Sequence, residues 1–220
     1  RKLFSFFAYE VALSDPLLDP MVLAYEAGGT AVRPMLEALF SMDAFYSAPA
    51  KFSRVKSPVE FLVGTIRRLR GSVKGGRGGE ELAGKLAALG QSIFNPPSVF
   101  GWKEGLSWVS SNGLLQRARV AEWMADSRRT YRGPLLWRPE RLVGERSEWP
   151  TLDAPSLVAR FVALLDPGPP GASTAAVLAA YLQAGDDGTP APFVLDEATI
   201  DRKVRGLVAL LLSSPEYQLC

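Results

Sequence analysis

Acid–base chemistry in this chain would have to run on carboxylates, because its 220 residues contain no histidine, the usual proton carrier near neutral pH. The adjacent carboxylate pairs are Glu80-Glu81, Asp186-Asp187 and Asp196-Glu197. Each falls at an expected helix boundary, where acids accept from open N–H groups or solvate a loop, so they read as caps. Without histidine there is also no Ser–His, Cys–His or His–metal arrangement in this segment. Cys220 is the single cysteine, which leaves no internal disulfide and no thiolate cage for zinc. Asp186-Asp187-Gly188 starts like a calcium loop but lacks the remaining ligand positions. No catalytic set, metal site or cofactor is assigned.

Binding residues are better represented. Over 128–150, Arg128, Arg129, Arg132, Arg138, Arg141 and Arg146 interleave with Tyr131, Trp137 and Trp149, a mixture that can stack on bases or sugars. Asp126, Glu140, Glu145 and Glu148 offset that charge. The simpler reading is a long Arg/Trp loop anchored by its tryptophans, with arginines paired to those acids. Upstream, Phe94, Phe100, Trp102 and Trp108 either line a ligand pocket or, more simply, cover an apolar helix face. The candidate binding surface comprises Asn95, Trp102, Trp108, Arg117, Arg132, Trp137 and Arg138.

The elements that must position these residues are helical. Apolar side chains make up 47% of the chain, enough for one substantial core. Lys and Arg number 25 against 23 Asp and Glu, a net charge of +2 and no electrostatic footprint for nucleic acid. No apolar run approaches the ~20 residues needed to span a bilayer. Helices are expected at about 1–9, from Asp19-Pro20 to Gly28-Gly29, and from Thr30 with Val32, Met35, Leu36, Leu39 and Phe40 inward. Ser57-Pro58-Val59-Glu60 is a capping box with proline at its first helical position. It opens a helix burying Phe61, Leu62, Thr65, Ile66 and Leu69. The glycine-rich 71–79 reads as a flexible basic loop without phosphate-loop spacing, followed by a helix at about 80–89. Prolines forbid helix at Asn95-Pro96-Pro97, and the apolar residues around them predict a segment buried among helices. Further helices are expected from Ser110 or Ser111, from Asp153, from Ser173 or Thr174, and from about Asp196 to Leu212.

Two stretches echo one another. Ala24-Tyr25 through Phe45 resembles Ala180-Tyr181 through Tyr217, with Val32-Arg33 set against Val204-Arg205 and Leu39 against Leu211. Each copy predicts a helix, a loop, a longer helix and an aromatic turn. The fold class is all-α, an irregular multi-helix bundle with long ordered loops and a buried Asn-Pro-Pro segment, read as one domain over 1–220.

Several motifs resemble those of the bacterial domain-of-unknown-function 1800 family. They are Arg1-Lys2-Leu3-Phe4-Ser5-Phe6-Phe7, Arg33-Pro34-Met35-Leu36, Lys56-Ser57-Pro58-Val59-Glu60-Phe61 and the long Leu89-Gly90-Gln91-Ser92-Ile93-Phe94-Asn95-Pro96-Pro97-Ser98-Val99-Phe100-Gly101-Trp102. Ser107-Trp108, Leu114-Leu115-Gln116-Arg117 and Leu212-Ser213-Ser214-Pro215-Glu216-Tyr217-Gln218 complete the pattern. The resemblance implies a longer protein, of which this is the C-terminal part, and many family members carry export signals, which points to export or the cell envelope. It implies no established activity. The expected role is a non-catalytic structural or protein-interaction module packing on its own N-terminal half or another protein chain, with oligomer formation open. The alternatives are part of an enzyme whose active site lies mainly in that N-terminal half, and glycan or nucleic-acid binding through 128–150.

Overall fold

The computed structural model describes residues 1–102, 105–127, 135–165, 168–185 and 187–220. They fold as helices, with a two-stranded ladder as the sheet among the described residues. The chain divides into two compact units, Arg1–Arg54 together with Cys220, and Val55–Leu219.

The first unit holds α1 (Lys2–Phe7), α2 (Asp19–Ala27) and α3 (Val32–Ser41), closed by a 3-10 turn at Asp43–Tyr46. Phe4, Ala8, Leu18, Met21 and Leu39 form its core. The inward set expected for α3 is narrower than its pattern suggests. Leu39 is buried, whereas Val32 is 51% and Phe40 38% exposed.

The second unit begins with α4 (Pro58–Arg68), whose capping box is present: Ser57 Oγ accepts from Glu60 N, and the Glu60 carboxylate accepts from Ser57 N at 2.7 Å. Strand β1 (Ser72–Val73) pairs antiparallel with β2 (Leu135–Leu136), Ser72 opposite Leu136. Gly71 permits this approach, since a Cβ there would lie 2.9 Å from Leu135 Cδ1. Part of the stretch read as a glycine loop is helix: α5 runs Gly75–Ala88. Each interior glycine costs a helix about 1 kcal/mol, and burial of Leu86 beside half-buried Leu82 offsets it.

Helix α6 (Ser111–Asp126) follows with Ser110 as its N-cap, its Oγ accepting from Gly113 N. Within 128–150, the described part is not wholly loop. It contains β2, the short α7 (Glu140–Val143) and a 3-10 turn at Arg146–Thr151. Next come α8 (Ala154–Leu165), α9 (Ala172–Leu182) and α10 (Ile200–Ser213). The last is the axis of this unit: Ile200, Val204, Arg205, Leu207, Val208, Leu211 and Leu212 are buried, packed by α6, α8 and α9. The internal echo is realised as α2–α3–turn in one unit and α9–α10–turn in the other.

The cap of α9 comes from far along the chain. Glu216 Oε1 accepts from Gly171 N at 2.9 Å and Thr174 Oγ1 at 2.9 Å. Partial burial pushes the Glu216 carboxyl up, but bonds from Gly171 N, its own N–H, Thr174 and Ser214 outweigh this and hold it below the ordinary glutamate range. The pKa is thus lower folded than unfolded. The carboxylate stabilises the fold at neutral pH, and that contribution is lost as pH falls through the folded value. Glu216→Gln keeps an acceptor for both donors and removes the charge. Urea midpoints across acid pH are expected to show a shallower loss for E216Q than for the parent chain; parallel curves would refute the assignment.

Candidate functional site

The proline-broken segment follows α5 and is positioned by its own turns. Gly90, at φ +93°, ends the helix, and Gln91 N donates to Leu86 O at 2.9 Å. Gln91 Oε1 accepts from Val59 N at 3.0 Å, fixing the start of the segment to α4. Asn95 N donates to Ser92 O at 3.1 Å, and Gly101 N to Ser98 O at 3.0 Å. Trp102 and Trp108 are half-buried behind it, with Trp108 3.5 Å from where a Gly90 Cβ would sit.

The Asn95-Pro96-Pro97 stretch is not buried. Phe94 is 97% exposed, Val99 95%, Phe100 93% and Leu106 80%. The expectation of burial rested on the transfer free energy of these side chains, and no described helix covers them. Phe94 also holds φ +63°, a left-handed backbone that costs a non-glycine residue about 1–2 kcal/mol. Aromatic and aliphatic surface is therefore displayed on a locally bonded double turn. Its chemistry is apolar contact: Asn95 is exposed beside it, and among the described residues no acid–base set converges there.

The other sequence candidates separate. Arg117 is buried at the centre of a polar knot in the second unit. Its Nη1 donates to Gln218 Oε1 at 3.1 Å and its Nη2 to Lys56 O at 2.5 Å, with the guanidinium 5.1 Å above the Phe61 ring. Burial pulls its pKa down to about 10, and the Glu60 charge acts in the opposite direction. Lys56 Nζ donates to Tyr217 O at 2.8 Å and lies 3.9 Å over that ring. Tyr217 OH meets Thr65 Oγ1 at 2.7 Å, and Gln218 Nε2 donates to Leu212 O and Ser214 O. This knot joins the Lys56–Phe61, Leu114–Arg117 and Leu212–Gln218 motifs within the second unit. Sequence reasoning quoted Lys56, Tyr217 and Gln218 only within motifs and assigned them no role, because the bonds that join them to Thr65 and Arg117 or to each other span 101 to 161 residues.

Trp137 is also interior, donating from Nε1 to Met124 O at 2.8 Å beneath the Arg205 guanidinium at 4.6 Å. Stacking on an external base or sugar is closed to this ring. Arg138 is exposed, and Arg132 lies outside the described residues. Glu140, Gly144, Arg146, Trp149, Glu197 and Ile200 line an open hollow of about 500 Å³. Within it Arg146 pairs with Glu197, and nearby Glu148 faces Arg160 at 3.6 Å. Among the described residues no cluster of His, Cys, Asp or Glu could hold a metal ion, and no helix is long and apolar enough to cross a membrane.

Comparison with protein-family models gives a match over nearly the whole chain. The model of the family described as "Protein of unknown function (DUF1800)" fits residues 1–219. No curated protein and no solved structure matches.

Proposed function

This chain belongs to the DUF1800 family, and we propose that it is a non-catalytic protein-interaction module that docks through the surface displaying Phe94, Val99, Phe100 and Leu106. The observation that carries this reading is the near-complete exposure of Phe94, Val99, Phe100 and Leu106 together. Covering each such side chain is worth about 1.5–3 kcal/mol, and large exposed apolar patches mark interaction sites. The positive φ of Phe94 supports it, because strain kept at a solvent-facing residue suits a contact the residue makes elsewhere. The partner is an apolar protein surface, and the N-terminal half of the longer family protein is the first candidate. An exported or envelope-associated setting in a bacterium is part of the same proposal.

A photo-crosslinking amino acid at position 94, in the full-length protein in its own host, tests the reading. A discrete adduct mapped to one protein surface, and its loss with Phe100→Ser, is expected. A smear of unspecific products, or an adduct indifferent to F100S, overturns it.

A further inference from the structure

The turn between α4 and α5 keeps cations at positions that its own geometry disfavours. Helix α4 closes with Gly71 N donating to Ile66 O at 2.8 Å and Arg70 N to Arg67 O at 3.0 Å. This pattern holds Arg70 in the left-handed region at φ +51°, where glycine is the usual residue. Lys74 is then the N-cap of α5 and Arg77 lies in its first turn, the end of a helix where positive charge is unfavourable. No acid stands in that turn and no side chain caps it.

Three cations thus stand where each works against local stability, and nothing inside the chain compensates them. Arg70, Lys74 and Arg77 are exposed and make no ion pair among the described residues. Arg67 and Arg68 join them from the last turn of α4, where cations favour the helix. A chain with a net charge of +2 therefore gathers five positive charges within 67–77, and residues 61–79 hold no Asp or Glu. The strand paired with β1 brings no acid either, since 127–139 contains none.

We infer that this basic turn is a docking surface for an anionic phospholipid bilayer, with Arg67, Arg70, Lys74 and Arg77 facing its phosphates. The cations are spread over an exposed turn, and none lines the hollow beside Trp149. That layout suits a plane of many phosphates better than one small anion. Residues 67–79 include no aromatic ring on which a base could stack. At Gly75, Gly76 and Gly79 nothing lies within 4 Å of where a Cβ would sit, so headgroups can approach the backbone between the charges. This surface is separate from the one displaying Phe94 and Phe100 and does not rest on the reading given to it.

Co-sedimentation of the 220-residue protein with phosphatidylcholine vesicles containing about one-third phosphatidylglycerol tests the inference. Binding that weakens steeply with salt is expected, with none to phosphatidylcholine alone. The triple variant Arg70→Gln/Lys74→Gln/Arg77→Gln is expected to lose about a hundredfold in vesicle affinity. Its urea midpoint should stay level or rise, because each removed charge opposes its local structure. Arg1→Gln/Lys2→Gln/Arg33→Gln removes as much charge from other exposed positions and should keep most of the affinity. Absence of binding, an equal loss in that control, or a lowered urea midpoint for the triple variant would overturn the inference. So would binding abolished by Phe100→Ser alone, or tighter binding to a single-stranded oligonucleotide at the same salt.

Discussion

Arg117→Ala is expected to destabilise the Val55–Leu219 unit by about 3–5 kcal/mol, read as a fall in urea midpoint at unchanged slope. The side chain is 2% exposed, so truncation opens a cavity and leaves two buried acceptors, Lys56 O and Gln218 Oε1, without their donor. The cation is tolerated because carbonyl-type oxygens, the Phe61 ring and the Glu60 field replace part of its hydration. Arg117→Met fills volume without restoring a donor and should recover about half of the loss. Arg117→Lys has a single ammonium in place of the fork and cannot reach both oxygens as the guanidinium does. A loss below about 1 kcal/mol for R117A would show that the knot contributes little to stability.

The second large effect is a steric one whose sign should reverse with context. A Cβ on Gly206 would lie 2.2 Å from Tyr181 Cζ and 2.9 Å from its Cε1, so the ring of α9 rests on the bare backbone of α10. Tyr181 OH also donates to Arg202 O at 3.3 Å, and Lys203 Nζ holds Tyr181 O and Ala184 O, which limits the ring's escape. Gly206→Ala should therefore cost about 2–3 kcal/mol through overpacking. In a Tyr181→Ala background the obstruction is gone, and the same change should stabilise by up to about 1 kcal/mol through helix propensity. A double-mutant cycle measures this coupling. Additive effects would mean that Tyr181 and Gly206 do not meet.

What could be read from the residues alone was whatever local chemistry decides. Ser57 and Glu60 cap α4 as their spacing demands, and Pro58 marks its first turn. The helix–loop–helix echo was visible because its two copies repeat the same short-range pattern. The misses have a common physical cause in long-range partners. Helix α9 begins at Ala172 with Gly171 as N-cap and its capping carboxylate supplied by Glu216, so neither Ser173 nor Thr174 marks the start. Helix α5 runs through glycines because a remote core rewards it. Arg117 and Trp137 belong to residue types that serve equally as ligand contacts or as buried donors, and only the fold distinguishes the two. Phe94, Val99 and Phe100 are apolar enough to demand cover, but side-chain type does not say which polypeptide provides it.

The bonding of Lys56, Arg117 and Thr65 to residues 217 and 218 has a consequence for synthesis. A nascent chain that has reached the end of α10 already carries the buried cations and nearly all the apolar interior, yet still lacks Tyr217 O for Lys56 Nζ and Gln218 Oε1 for one arm of Arg117. Local helices can form early, but loop closures spanning 101 to 161 residues must wait for residues 217 and 218. Until then the newborn polypeptide holds Arg117 with one arm unbonded within a greasy intermediate, a stage at which chaperones would be expected to engage it.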